Sequence, residues 1–165
     1  MSRFRTLVVG VAAFALMEPV TYATHRFVMH GVGSVLHRSH HQARARFVEA
    51  NDAYPAVFDG AVMVTMWAAY HRQGLRSLLP VTVGVSTYGL AYALVHDGYI
   101  HGRLPAAKAN RVLDHLAESH RIHHLYNGEP FGMLVPVVPA GLRARAARTD
   151  RRPLRRKVAN ETTAA

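Results

Sequence analysis

The chain has 165 residues, half of them hydrophobic, with no cysteine, twelve histidines and a formal net charge of +10. That length suits one domain, and the lack of cysteine removes disulfide frameworks, thiolate zinc sites and cysteine nucleophiles. The positive charge does not point to nucleic acid, because the arginines are scattered or gathered in the tail without the interleaved aromatics that stack bases.

The first apolar run is Leu7 to Met17, and it continues to Thr24 with Glu18 as its one charge. As a helix this stretch would span roughly 27 Å, enough for most of a bilayer core. Arg3 and Arg5 ahead of it could open a signal peptide, but no small-residue cleavage site follows. The second run is Ala53 to Tyr70, with Asp59 inside it, and the third is Leu78 to Val95, with Gly84 and Gly89. Neither alternates as a strand would. The expectation is an all-α, multi-pass membrane protein. Phe131 to Leu142 carries Pro136 and Pro139 and is too short and broken to span, so it reads as a re-entrant or interfacial piece. Residues 1–142 form the expected membrane-embedded domain. From Arg143 onward the chain reads as a basic, disordered tail. Its Arg151, Arg152, Arg155, Arg156 and Lys157 suit anionic headgroups or solvent.

Charge predicts the topology. The loops Arg26 to Asn51 and His101 to Ala165 carry 16 of the 20 Arg and Lys residues. The positive-inside rule puts both loops in the cytoplasm. Three spans with the N-terminus outside satisfy this, and a fourth is possible if a histidine-bearing helix dips into the bilayer.

Those same loops hold a histidine pattern that occurs twice. His25-x4-His30 is followed by His37-Arg-Ser-His40-His41, and His96-x4-His101 by His120-Arg-Ile-His123-His124. Imidazole is the commonest neutral metal ligand. A lone histidine is usually solvated or packed, but ten in two parallel sets point to two metal ions side by side on the cytosolic side. His37, His40 and His41 lie at i, i+3 and i+4 and would share one helix face, as would His120, His123 and His124. The i, i+5 pairs do not stack on an ideal α-helix and suit helix ends at the membrane boundary. Such sites suit Zn, Cu, Fe or Ni, and the sequence does not choose among them. Five nitrogens per ion leave a position open on an octahedral metal such as iron, where O2 could bind. No Glu-x-x-His pattern of the carboxylate-bridged di-iron bundles occurs. Asp97, Asn51 and Asp52 are candidates to accept the other N–H of a ligating histidine. Glu18 is a carboxylate inside a span, where such groups are costly and functional by default. His71 and His115 stand outside the set.

The segments HRFVMHG, LHRSHH, AND, HDGYIHGR and SHRIHH followed by PFGML resemble the bacterial β-carotene 3-hydroxylases of the fatty acid hydroxylase/sterol desaturase superfamily, over about residues 14 to 142. The resemblance implies a non-haem di-iron membrane monooxygenase with ten histidine ligands: His25, His30, His37, His40, His41, His96, His101, His120, His123 and His124. It implies O2 as co-substrate, a carotenoid substrate and electrons from a ferredoxin or similar donor. The reaction would carry β-carotene through β-cryptoxanthin to zeaxanthin. Rival readings are a lipid or sterol hydroxylase or desaturase, a carotenoid ketolase and a non-enzymatic metal carrier. The chain departs from the family at Phe-Val-Glu-Ala-Asn51-Asp52 and in the shortened Asn127-Gly128-Glu129-Pro130, a segment expected to line the ring pocket. Tyr22, Tyr88 and Tyr92 could line a lateral route for the polyene.

Overall fold

The computed structural model describes residues 2–42, 48–103 and 108–149. These residues are helical and irregular, with no strand among them. Helix α1 (Arg3–Ala23) runs without a break in helical structure into a π-helical segment, Thr24–Val32. The short α2 (Ser34–His37) and a 3₁₀ turn (Ala50–Asp52) follow, leading into α3 (Ala53–His71). A second 3₁₀ turn (Gln73–Leu78) feeds α4 (Leu79–Ala93), which ends in a second π-helical segment, Leu94–Ile100. Helices α5 (Arg111–Tyr126) and α6 (Ala140–Ala146) complete the fold.

The apolar side chains lie on the outside. Phe4, Leu7, Val11, Leu16 and Val20 of α1 are exposed, as are Val57, Val64 and Trp67 of α3. Water would penalise such a surface and a bilayer would not. Two helical stretches, Arg3–Val32 and Gln73–Ile100, are long and apolar enough to cross a membrane. Helix α3 has 19 residues, carries Asp59 and ends at His71, and is not among those two stretches.

Helix α4 packs against both α1 and α3. Small residues permit the α1–α4 approach: a Cβ on Gly84 would stand 2.2 Å from the Gly10 carbonyl oxygen and 3.0 Å from the Ala13 side chain. In a bilayer, where water does not drive helices together, such backbone proximity would supply the packing. Because α4 lies in the middle, a gap opens between α1 and α3, and the main cavity occupies it.

Glu18, the charge expected inside a span, closes the other flank of α1. Its carboxyl oxygens accept from the backbone N–H groups of Met133 (2.8 Å), Leu134 (3.1 Å) and Val135 (3.0 Å), and from the Tyr88 hydroxyl (2.6 Å). The proline-broken segment after Phe131 is therefore a loop folded back onto α1. A Cβ on Gly132 would meet Glu18 Oε1 at 2.8 Å, so a side chain there would push the carboxyl group aside. Helix α6 crosses the boundary expected at residue 142. Its Ala146 is buried and the Arg145 guanidinium lies 4.7 Å from the Tyr126 ring centre. The distal basic residues from Arg151 to Lys157 lie outside the described residues.

Gly84→Ala should lower stability by about 1–3 kcal/mol through overpacking against backbone. Gly60→Ala, which meets nothing within 4 Å, should be neutral or slightly stabilising. Thermal unfolding of both variants in detergent checks the contrast, and equal midpoints would contradict the packing account.

Candidate metal centre

The two i, i+5 histidine pairs sit in the two π-helical segments. The Gly33 N–H donates to the Val28 carbonyl (2.8 Å) and the His101 N–H to the His96 carbonyl (2.9 Å), both i to i−5. A widened turn of this kind is frequent at functional sites. It brings residues five apart onto one side of the helix, which an α-helix does not. The misfit seen in the sequence is resolved by a change of helix type.

All ten histidines converge into two adjoining cages. His25, His30, His37, His41 and His123 form the first, with their ligand atoms within 4.8 Å of one another. His40, His101, His120 and His124 form the second by the same measure. His96 joins it through His40, Nε2 to Nε2 at 3.1 Å. The cages touch where the His41 and His124 rings stack, with centres 4.3 Å apart.

The cages do not follow the two sequence sets. The expected sharing of one face by His37, His40 and His41 fails. Helix α2 ends at His37, and the chain turns through Arg38 to His41. His37 and His41 enter the first cage while His40 crosses to the second. In the second set His120 and His124 stay together on α5, one turn apart, and His123 crosses to the first cage. In each set the residues at i and i+4 stay paired and the one at i+3 crosses over.

Hydrogen bonds on the far side of the rings set their tautomers. The Nδ1–H groups donate to the Phe131 carbonyl (His25, 3.0 Å), Asn51 Oδ1 (His37, 2.7 Å), Glu49 Oε2 (His40, 3.1 Å), Asp97 Oδ1 (His96, 3.1 Å) and the Gly128 carbonyl (His123, 2.5 Å). With an acceptor on Nδ1 the proton stays there, and the Nε2 lone pair faces inward. Nearest Nε2 pairs stand 2.9 to 3.2 Å apart, as in His25–His37, His30–His123, His37–His30, His41–His37, His101–His120 and His124–His120. Ligands about 2.1 Å from a metal and at right angles are about 3.0 Å apart. The first cage therefore has the edges of an octahedron with five nitrogen vertices and one free. That donor set fits a six-coordinate first-row ion better than a closed tetrahedral zinc site.

Burial opposes protonation of several of these histidines. Burial, reinforced by neighbouring histidines, pushes His41 down to about 3. Burial pushes His37 down to about 4 against the Asn51 hydrogen bond that raises it. Burial lowers His101, His120, His123 and His124 further still.

The other sequence candidates divide. Asn51 accepts from His37 (2.7 Å) and Asp97 from His96 (3.1 Å). Asp52 touches none of the ten histidines; it accepts from Arg103 and from the Glu49 backbone N–H (2.9 Å). Glu18 also touches none and serves the loop described above. His71 is exposed beside Trp67, and His115 is exposed on α5. Sequence reasoning missed Glu49, although its place two residues before Asn51 was a signal. It also missed the Phe131 and Gly128 carbonyls, which no side-chain pattern reveals.

A cavity of about 600 Å³ runs between α1 and α3 and ends at His25 of the first cage and His96 of the second. Met17, Val57, Phe58, Ala61, Tyr88 and Tyr92 give it a largely apolar wall. Tyr22 is not part of it; its hydroxyl donates to Glu129 (2.7 Å) beside a separate smaller cavity. The shortened segment does not line the main cavity either. Gly128 holds His123, and Glu129 pairs with Arg26 (2.9 Å).

A membrane-suited helical fold around two all-histidine cages matches what comparison with known proteins finds. The family model for fatty acid hydroxylase matches residues 10–139, and the chain belongs to that family. Among its relatives is a β-carotene hydroxylase of Pseudescherichia vulneris, 35% identical over 94% of this chain and 90% of the relative. A β-carotene hydroxylase of Paracoccus sp. (strain PC1) is 36% identical over 72% of this chain and 74% of its own length. The chloroplastic β-carotene 3-hydroxylase 1 of Arabidopsis thaliana is 31% identical over 80% of this chain and 44% of its own length. No solved structure matches the chain.

Acid should destabilise the metal-free protein. An unfolded histidine titrates near 6.5, whereas folded His37 and His41 titrate at about 4 and about 3. The stability of the neutral cages is fully present above about pH 6.5 and is lost as pH falls through the folded values. The thermal midpoint of metal-free protein should be flat from pH 7 to 8 and fall steadily below 6.5. A midpoint unchanged down to pH 5 would contradict this account.

Proposed function

We propose that the chain is a β-carotene hydroxylase, an oxidoreductase that uses O2 to place a hydroxyl at C3 of β-ionone rings. Acting at both ends, it would take β-carotene through β-cryptoxanthin to zeaxanthin. The observation that carries this reading is the opening of one apolar cavity onto both histidine cages, in a chain whose relatives are β-carotene hydroxylases.

In this reading the ten histidines hold two iron ions, five nitrogens to each. When bound, such a pair supplies the O2 activation and hydrogen removal that no protein side chain performs on an unactivated ring methylene. The chain does the rest. Five Nδ1–H bonds fix ring orientation, the apolar cavity wall admits a ring from the bilayer and excludes water, and Tyr88 and Tyr92 bound its inner end. Electrons would come from a reduced ferredoxin or similar donor. An acidic donor would be steered by basic residues near the histidine end, such as Arg38, Lys108 and Arg111.

The same reading places the chain in the bacterial inner membrane, with three or four spans and the metal site facing the cytoplasm. The charge distribution supports it. So does the position of His25, His30 and His96, which lie toward the ends of the two helical stretches long and apolar enough to cross a membrane.

Expression in a β-carotene-producing host tests the proposal. The expected pigments are β-cryptoxanthin and zeaxanthin, with no hydroxylated product from His40→Ala and near wild-type product from His71→Ala. Ketocarotenoids would favour a ketolase. Unchanged carotene beside a working electron donor would overturn the reading in favour of another lipid or sterol substrate or a metal carrier.

A further inference from the structure

The sequence Glu49-Ala50-Asn51-Asp52 places acceptors for both cages in one short turn. Glu49 holds His40 of the second cage, and Asn51 holds His37 of the first. The turn is internally tied, because the Glu49 side chain accepts the Asp52 backbone N–H while Asp52 accepts the Glu49 N–H. One side chain locks this turn to the helix that carries His96. Arg103, two residues past His101, donates from Nη1 to Asp52 Oδ1 (2.9 Å) and from Nη2 to Asp52 Oδ2 (2.5 Å). Its Nη1 also donates to Asp97 Oδ1 at 3.2 Å, the same oxygen that accepts from His96 Nδ1. The Arg103 side chain is only 16% exposed, so these bonds are shielded from solvent screening.

The two cages depend on this clamp unequally. In the second cage both histidines with a side-chain acceptor, His40 and His96, are oriented by carboxyl groups tied to it. In the first cage His25 and His123 are held by the Phe131 and Gly128 carbonyls, which lie on a different segment. Asn51 has its own anchor as well, since its N–H donates to Ser39 Oγ (3.1 Å).

We propose that Arg103 is a positioning residue for the second cage, so that the chain without it holds one metal ion tightly instead of two. This rests on the reading of the histidines as ligands of two ions. A planar guanidinium spans two carboxyl groups at once, which a lysine ammonium cannot do with the same geometry.

Anaerobic titration of cobalt(II) into metal-free, detergent-solubilised protein tests this, read by bound metal per chain and by the cobalt ligand-field spectrum. Wild type should take up two ions. Arg103→Ala should weaken one site by about 10–100-fold, the range for losing an outer hydrogen-bond partner, and leave the other within about threefold. Arg103→Lys should fall between the two. In the Arg103→Ala background, adding His120→Ala should leave the one tight ion in place, whereas adding His25→Ala should remove it. Helical circular dichroism of each metal-free variant separates a local effect from misfolding. Two unchanged sites in a folded Arg103→Ala protein overturn the proposal, as does equal weakening of both. Wild type that binds no cobalt overturns the two-metal reading and the proposal with it.

Discussion

The fold depends on keeping imidazole lone pairs aimed at one another. Neutral Nε2 atoms about 3.1 Å apart repel, and burial prevents relief by protonation. Each ring would turn away if its far nitrogen were not held. Carbonyl, amide and carboxyl acceptors on Nδ1 supply that hold, from Phe131, Asn51, Glu49, Asp97 and Gly128. A cation bound at the centre of a cage would convert the repulsion into attraction. The metal is thus expected to stabilise the fold as well as to serve chemistry.

The lipid-compatible surface imposes the rest. An apolar exterior leaves little hydrophobic force between helices, so α1 and α4 meet through Gly10, Ala13 and Gly84. That contact places α4 centrally and separates α1 from α3, and the separation is the cavity. Glu18, the one acidic residue of α1, accepts three backbone N–H groups of a loop that would otherwise expose them near hydrocarbon. The loop in turn delivers the Phe131 carbonyl to His25. A structural carboxyl group in a span and a ligand-orienting carbonyl are two ends of one arrangement.

The sequence makes the helices, the ten converging histidines and the contacts of Asp97 and Asn51 with histidines legible, because composition and spacing carry them. It hides the crossing of His40 and His123. Spacing at i, i+3 and i+4 says that three residues lie on one face, but not that two cages share that face. It also hides the π-helical turns, although the i, i+5 spacing of His25/His30 and His96/His101 was awkward for an α-helix and that awkwardness was the signal. Asp52 looked equivalent to Asn51 and is not. Two adjacent side chains on a 3₁₀ turn point in different directions, and only one faces a histidine. Glu18 was costly enough to attract a functional reading, yet the backbone groups that satisfy it lie more than a hundred residues away.

The crossing changes what the repeat means. Two identical histidine sets suggest two independent sites, one built by each half of the chain. Exchange of one ligand makes each half incomplete alone. The first cage needs α5 for His123, and the second needs the turn after α2 for His40. The stacked His41 and His124 rings then hold the two cages at a fixed separation. In the proposed reading, two metals that act on one substrate atom would need such a fixed separation. Independent sites on separate helices would let it vary with helix motion in the bilayer. The exchange of one histidine ties the spacing of the cages to the packing of both halves, and the larger described cavity is lined by His25 and His96, one residue from each cage.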